Sequence, residues 1–271
     1  MGDAQLPAAV ELRGIRLAYG GLVALSSVDM TVSAGSVTGL IGPNGAGKTS
    51  LFDVVCGIAR PTAGQVLLHG KDVTRLRPAK RAGLGVARTF QRLELFSSLT
   101  VAENVAVSAE LANRMPLIGG RSVAPAVPGL PAAGRSQSRS GADAKAVVEE
   151  RLNRLGLSEI AGARTDTLPT GTARLVEVAR ALAGFPSVLL LDEPASGLDR
   201  AETDQLAGLV AELAAGGLAV LLVEHDVELV MRVCAEIYVL DRGSVIARGT
   251  PAEVRGNDAV REAYLGQMAV S

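Results

Sequence analysis

The sequence predicts an α/β fold in which a parallel sheet is covered by helices on both faces. The runs Val188–Leu191 and Leu218–Val223 are continuously apolar, and Val37–Ile41 is a compact and largely apolar strand, as in strands buried on two sides. An amphipathic stretch of helical spacing, Glu202–Leu213, lies between the last two runs. Buried strands that alternate with helices along a chain favour a parallel sheet.

Shorter segments extend this pattern, and Gly-containing turns punctuate them. The turn at residues 69–72 carries His69, which we interpret as exposed to solvent. Further strands are predicted at Val10–Arg13, Met30–Val32, Gln65–Leu68, Ile237–Leu240 and Val245–Ala247, and further helices at Lys48–Cys56, Ala144–Leu157, Leu175–Ala183 and Val227–Cys234.

Composition narrows the class of protein. Of 271 residues, 48% are apolar but only 3% are aromatic, so Leu, Val, Ile and Ala must build the core. The net charge of −1 argues against nucleic acid or an anionic membrane surface as the main partner.

Cys56 and Cys234 lie far apart in apolar stretches, which predicts two buried free thiols. We see no signal peptide and no apolar run near the ~20 residues of a membrane span, so a membrane role requires a partner.

A change in composition near residue 113 predicts an insertion over residues 113–143. Four prolines and four arginines fall there before the first carboxylate, Asp143. A basic contact loop is one interpretation, and a flexible insertion is the favoured one. We predict a single domain over residues 8–250, a mostly helical part at about 92–167, and a helical C-terminal tail at 251–271.

The segment Gly42–Thr49 has the full pattern of a phosphate-binding loop between a strand and a helix. Its glycines let backbone N–H groups surround phosphates, and the helix N-terminus favours an anion. Lys48 places a positive charge on the outer phosphates, and Thr49 offers a hydroxyl to Mg²⁺. The motif predicts binding of a nucleoside triphosphate, with ATP favoured, and identifies the sheet as the RecA-like core of a P-loop NTPase. The predicted nucleotide-binding residues of this segment are Gly42, Pro43, Asn44, Gly45, Ala46, Gly47, Lys48, Thr49 and Ser50.

An acidic pair follows the predicted strand Val188–Leu191. Asp192 is placed to hold Mg²⁺ directly or through water, and Glu193 is placed to polarise the attacking water. A general base contributes ~10²–10⁴ in rate. The alternative is an acidic turn with no chemistry, which the nearby phosphate loop disfavours.

With these motifs, nearly the whole chain resembles the ATP-binding cassette (ABC) family, which implies an antiparallel strand layer and a helical subdomain beside the core. The resemblance implies that Tyr19 stacks on adenine, Gln91 contacts Mg²⁺ and water, and His225 contacts the γ-phosphate. It also implies that Ser196–Asp199 crosses a dimer interface. The predicted catalytic residues are therefore Lys48, Gln91, Glu193 and His225, and the predicted Mg²⁺ ligands are Thr49, Gln91 and Asp192.

The signature segment departs from the family pattern. Leu168–Thr172 stands where most members have Leu-Ser-Gly-Gly-Gln, a segment that caps the nucleotide held by the partner subunit. Pro169 offers neither a hydroxyl nor an N–H, although proline begins helices well. Thr170 and Gly171 are the predicted nucleotide contacts. One lost charge-assisted hydrogen bond costs ~1.5–3 kcal/mol, roughly a 10–150-fold weakening.

Proline at that position also resembles one branch of the family, the importers of branched-chain amino acids. Phe90–Phe96, Leu99–Val105, Val223–Asp226 and the tail from Gly249 to Gly266 point the same way. The alternatives are a urea or amide importer, a lipopolysaccharide-type exporter, or a cassette protein that acts on ribosomes or DNA. The last is disfavoured because this chain has one cassette and no heptads in its insertion.

The resemblance implies a peripheral subunit on the cytoplasmic face of the inner membrane, with permease partners and no nucleic acid. Two cassettes, identical or different, would hold two ATP molecules, each between one chain's Gly42–Thr49 and the other's Leu168–Thr172. The Gln91 region would transmit closure to the permease. Because Thr172 replaces glutamine, we hypothesise a heterodimer in which this chain's own site receives the better signature segment.

Overall fold

The structure, a computed structural model, describes residues 7–114 and 141–268. The strands are β1 (Ala8–Tyr19), β2 (Leu22–Ser33), β3 (Val37–Ile41), β4 (Ala63–Leu68), β5 (Lys71–Asp72), β6 (Val86–Arg88), β7 (Val188–Asp192), β8 (Ala219–Val223), β9 (Glu236–Asp241) and β10 (Ser244–Gly249). The helices are α1 (Lys48–Cys56), α2 (Pro78–Ala82), α3 (Val101–Arg114), α4 (Gly141–Arg154), α5 (Thr170–Ala183), α6 (Arg200–Ala215), α7 (Val227–Val233), α8 (Pro251–Arg255) and α9 (Asp258–Met268).

Two sheets organise the described residues. The larger has the strand order β10-β9-β3-β8-β7-β6, and all its pairings are parallel except the hairpin of β9 and β10. The smaller is antiparallel, in the order β2-β1-β4-β5. This arrangement confirms the predicted α/β fold with a parallel core, a helical part and an antiparallel layer.

The central strands β7 and β8 carry apolar side chains on both of their faces because both faces of the large sheet are covered. Along β7, Leu189 and Leu191 pack into one hydrophobic cluster with the helices α3 to α6. Val188 and Leu190 point the other way, into a second cluster with α1 and the antiparallel sheet. Successive strand residues point to opposite faces, so a strand between two clusters buries apolar side chains on both faces.

Most predicted elements are found, with shifted ends. The strand Val37–Ile41 and the helix Lys48–Cys56 have the predicted bounds. By contrast, α5 begins at Thr170 instead of Leu175, because Pro169 serves as its N-cap and the first turn lacks apolar spacing. The predicted insertion at 113–143 lies largely outside the described residues, and the predicted limits of the domain, its helical part and the tail stay predictions.

The structure shows where the turn histidine His69 and the two cysteines lie. His69 lies in a turn as predicted, but it is half-buried and not fully solvated: its Nε2 lies 2.9 Å from the buried Ser187 Oγ and links the turn to the loop before β7. Cys56 and Cys234 are buried and free as predicted, and burial raises their thiol pKa values to about 11 and about 12. No helix in the described ranges is long and apolar enough to cross a membrane.

Candidate nucleotide-binding and hydrolysis site

The phosphate loop connects the carboxyl end of β3 to the first turn of α1, and its glycines are required by geometry. Gly42 has a φ of 151°, and a Cβ there would lie 2.0 Å from the Leu240 carbonyl oxygen. Gly47 has a φ of 107°, and its Cβ would lie 2.8 Å from the Ala24 carbonyl oxygen. The loop is therefore pressed against both the β9–β10 hairpin and the antiparallel layer.

Lys48 sits at the start of α1 with its side chain folded over this loop. Its Nζ donates to the Gly42 carbonyl at 2.6 Å and to the Pro43 carbonyl at 3.0 Å. Burial lowers the pKa of Lys48, an effect opposed by the carboxylates of Glu193 and Asp192. No side chain caps α1, and its first turn holds no acidic residue, so this end of the helix favours an anion.

Asp192 ends β7, next to β6 in the sheet, and is buried. Its Oδ2 accepts from Arg88 Nη2 at 2.9 Å, while Arg88 Nη1 donates to Asp53 Oδ1 on α1 at 2.5 Å. Burial raises the pKa of Asp192, and the Arg88 contact opposes that rise. Sequence reasoning missed Arg88 and Asp53, because neither belongs to a local motif.

Glu193 lies between the predicted glutamine and histidine. Its Oε1 is 2.5 Å from His225 Nε2, and its Oε2 accepts from Gln91 Nε2 at 3.4 Å. Its backbone has a φ of 50°, uncommon for a residue with a Cβ, and its N–H donates to the Val223 carbonyl at the end of β8. The structure therefore brings Gln91, Glu193 and His225 together at the carboxyl ends of adjacent strands.

Glu224 is a third residue that the sequence reasoning did not assign to the site. Its buried carboxylate accepts from the Ala195 N–H at 2.7 Å and from the His225 N–H at 3.1 Å. Burial raises its pKa, and backbone donors from Ala195, His225 and Asp226 oppose that rise. Glu224 thus ties the chain after Glu193 to the segment that carries His225.

The segment around Gln91 is held by two residues of α5. Arg174 donates to the Phe90 carbonyl at 2.6 Å and also to the Gln91 carbonyl. It pairs with Glu177 at 2.9 Å, and Glu177 accepts from the Glu94 N–H at 2.9 Å. Sequence reasoning also missed this pair, although its i, i+3 spacing places both side chains on one helix face.

The predicted signature residues lie at the start of α5, where Thr170 is exposed and Gly171 is buried. Thr170 begins α5 beside Gly197, where an added Cβ would lie 3.0 Å from Thr170 Cγ2. At Gly171 a Cβ would lie 2.6 Å from Glu202 Oε2, in the capping box that Asp199 and Glu202 form at the start of α6. The segment Leu168–Thr172 and the loop Ser196–Asp199 therefore form one packed unit.

Tyr19 is exposed at the tip of the β1–β2 hairpin, opposite Leu22. The same hairpin contacts the phosphate loop through Ala24 at Gly47. The predicted adenine-stacking residue thus stands on the layer that borders the loop.

The oxygen donors of the site suit Mg²⁺. Thr49 is exposed in the first turn of α1, Asp192 ends β7, and Gln91 lies three residues beyond the end of the neighbouring strand β6. Hydroxyl, carboxylate and amide oxygens are ligands that Mg²⁺ takes, usually one or two carboxylates together with phosphate oxygens. Within residues 7–114 and 141–268, no group of three or more His, Cys, Asp or Glu could hold a metal ion.

Fold and site together define a P-loop protein that binds a nucleoside triphosphate and carries a carboxylate placed for its hydrolysis. Comparison with known proteins narrows the class. The sequence profile of the ABC transporter family matches residues 25–196, and a profile for the branched-chain amino acid ATP-binding cassette transporter matches residues 244–270.

Individual relatives agree with these profiles. The branched-chain amino acid transport ATP-binding protein BraF of Pseudomonas aeruginosa is 37% identical over 95% of this chain and 98% of its own length. The lipopolysaccharide export ATP-binding protein LptB of Haemophilus influenzae is 33% identical over 90% of this chain and 91% of its own. The ADP conformation of an ATP-binding cassette of an ABC transporter superposes with a TM-score of 0.78 at 28% identity, covering 96% of this chain and 99% of that one. The chain belongs to the ABC transporter family and is an ATPase of that family.

Proposed function

We propose that this chain is the ATP-hydrolysing subunit of an importer for branched-chain amino acids. The observation that carries the substrate class is the match of residues 244–270 to the profile of that transporter type, because the matched tail lies outside the shared nucleotide site. The relative BraF supports it over nearly the full length of both chains.

In this proposal the residues at the carboxyl ends of the strands divide the chemistry. Lys48 and the backbone N–H groups of the loop other than Pro43 would hold the phosphates, while Thr49, Gln91 and Asp192 would hold Mg²⁺, which would neutralise developing phosphate charge. Glu193 accepts the proton of the attacking water. His225 lies against one oxygen of that carboxylate and Gln91 against the other, so both orient the base.

The proposed assembly is a dimer of cassettes bound peripherally to permeases on the cytoplasmic face of the inner membrane. Tyr19 would stack on adenine, and Thr170 and Gly171 would contact the nucleotide of the partner subunit. Three apolar side chains beside Gln91 are exposed: Phe90, Leu93 and Phe96. Exposed apolar side chains in one segment are typical of a protein contact, and we assign this one to the permease.

Substitution of the base tests the catalytic part. Glu193→Gln keeps the size and removes the proton acceptor, so turnover should fall ~10²–10⁴-fold while ATP binding is retained. The matched control is Glu228→Gln, which changes an exposed carboxylate in the first turn of α7, three residues from His225. Turnover that survives Glu193→Gln would contradict the role of Glu193.

Reconstitution tests the substrate class. The chain is purified with the permeases and binding protein encoded beside its gene, and ATP hydrolysis is measured in vesicles. Leucine, isoleucine or valine should stimulate turnover through the binding protein. Stimulation by urea or amides alone would contradict the proposal.

Export of lipopolysaccharide is the second candidate, because LptB shares 33% identity with this chain. The tail that matches the amino acid transporter profile weighs against it. A gene neighbourhood with exporter-type permeases and no binding protein would favour the second candidate over the first.

We further propose that the dimer is asymmetric, because Thr172 and Pro169 reduce what this chain offers its partner's nucleotide. This chain's own site keeps Lys48, Asp192 and Glu193. Glu193→Gln here should then abolish most turnover, while the equivalent change in the partner cassette should leave most of it. Equal losses from the two changes would rule out the asymmetry without affecting the assignment of Glu193.

A further inference from the structure

Arg88, at the end of β6, contacts two carboxylates on two other elements. Its side chain is 8% exposed, with Nη1 2.5 Å from Asp53 Oδ1 on α1 and Nη2 2.9 Å from Asp192 Oδ2 on β7. Asp53 and Asp192 are 139 residues apart in the chain (192 − 53) and share this one cation. The guanidinium thus links the phosphate-loop helix to the strand that carries the acidic pair.

Two aromatic rings hold the same guanidinium. Its central carbon lies 5.4 Å from the centroid of Phe52, the neighbour of Asp53, and 5.0 Å from the centroid of Phe90, the neighbour of Gln91. A planar guanidinium donates in its plane while stacking on rings, which an ammonium cannot reproduce. Arg88 is therefore fixed by four side chains, and each of them lies next to or within the site.

The consequence concerns the orientation of Asp192. A carboxylate that accepts from a fixed donor at one oxygen has its rotation restricted, so the direction of the other oxygen is set. Groups that hydrogen-bond to metal ligands commonly contribute 10–100-fold to metal affinity or activity in this way. Burial disfavours the ionised form of Asp192, and the positive charge of Arg88 opposes the resulting rise in its pKa.

We propose that Arg88 is a positioning residue for the metal: it occupies Oδ2 of Asp192 and thereby directs Oδ1 toward the magnesium that accompanies ATP. The inference rests on the magnesium role proposed above for Asp192. It assigns a defined task to a residue outside the phosphate loop, the acidic pair and the histidine segment. Stacking of Phe90 on Arg88 extends the same restraint to the backbone of Gln91.

Binding of a fluorescent, non-hydrolysable ATP analogue tests the proposal on the full chain. Affinity is measured in EDTA and then as a function of Mg²⁺ concentration, for Arg88→Met, Arg88→Lys and Asp53→Asn. The matched control is Arg248→Met, because Arg248 also pairs with a carboxylate, Glu236, and stacks on a ring, Tyr238, but lies on the β9–β10 hairpin. Circular dichroism melting reports whether each variant is folded.

A positioning role predicts a specific pattern. Arg88→Met should raise the Mg²⁺ concentration for half-maximal binding ~10–100-fold and leave affinity in EDTA within about 2-fold of wild type. Arg88→Lys should recover part of the loss, Asp53→Asn should have a smaller effect, and Arg248→Met should match wild type.

Two results would overturn the inference. One is an unchanged Mg²⁺ dependence in folded Arg88→Lys and Arg88→Met proteins. The other is an equal loss of affinity with and without Mg²⁺, which would make Arg88 a purely structural residue. Failure of Mg²⁺ to strengthen binding in the wild type is a separate outcome, because it would contradict the proposed role of Asp192 itself.

Discussion

Replacing Arg174 by methionine should destabilise the fold and free the segment that carries Gln91. The Arg174 side chain is 8% exposed and that of Glu177 is 1% exposed, so the substitution removes the hydrogen-bonded cation of a buried carboxylate and leaves the charge of Arg180 as its cationic neighbour. Breaking a buried ion pair by removing one partner costs ~3–5 kcal/mol. The backbone carbonyls of Phe90 and Gln91 lose their donor in the same step.

The size of the loss should depend on pH, and the sign follows from Glu177. Burial raises the pKa of its carboxyl, and the Glu94 N–H and Arg174 oppose that rise. A group with a raised pKa in the folded state contributes stability below its unfolded pKa and loses it as pH rises through the folded value. Without Arg174 the folded pKa of Glu177 should rise further, so the deficit should be larger at pH 8 than at pH 5.

Urea denaturation measures the loss, and a double-mutant cycle assigns it to the pair. Glu177→Leu combined with Arg174→Met removes both charges and should recover at least half of the destabilisation, since apolar replacements of buried pairs are often neutral. Arg164→Met, which breaks the exposed pair with Asp166, is the control and should leave the midpoint unchanged. The reasoning is refuted if Arg174→Met matches Arg164→Met, or if Glu177→Leu gives no recovery.

Two further predictions concern the turn and the phosphate loop. Burial and then Lys71 lower the pKa of His69 from 6.5, so its contribution to stability is present above that pH and is lost as pH falls below it. His69→Gln can keep the contact with Ser187 but cannot be protonated. As pH falls from 7 to 5, the free energy of unfolding of this variant, measured by urea titration, should increase relative to that of the wild type. A constant difference between the two free energies across that range would contradict this. Gly42→Ala should weaken ATP binding by at least about 10-fold, or ~1.4 kcal/mol, because its Cβ would clash with the Leu240 carbonyl oxygen. Gly45→Ala is the control: its Cβ meets no heavy atom within 4 Å, so the loss of affinity in the same assay should be smaller. Equal losses from the two substitutions would show that backbone conformation alone decides the effect.

Local patterns in the sequence were sufficient for the core of the fold. Val37–Ile41 and Lys48–Cys56 were predicted with their observed bounds, because an apolar run, glycines and a helical pattern follow one another there. That Gln91 and His225 belong to the same site as Glu193 was implied by the resemblance to the ABC family. The start of α5 was missed because Thr170–Thr172 carries no apolar residue. The partial burial of His69 was missed because its partner, Ser187, is 118 residues away in the chain.

Three of the residues that the sequence did not reveal are arginines that contact distant parts of the chain. Arg81 is buried and donates to the Val54 and Val55 carbonyls at the end of α1, at 2.6 and 2.8 Å. A cation is favourable there because the C-terminal end of the helix dipole is negative. Arg174 likewise donates to carbonyls 84 and 83 residues away. Every residue has a carbonyl, so such an acceptor leaves no mark in the sequence. A buried guanidinium can therefore restrain a distant helix end or loop without belonging to any motif. Here Arg81 contacts the end of α1, Arg88 contacts Asp192, and Arg174 contacts the Gln91 segment. In the proposed mechanism the motif residues supply the chemistry of the site, and these arginines hold the segments that carry it.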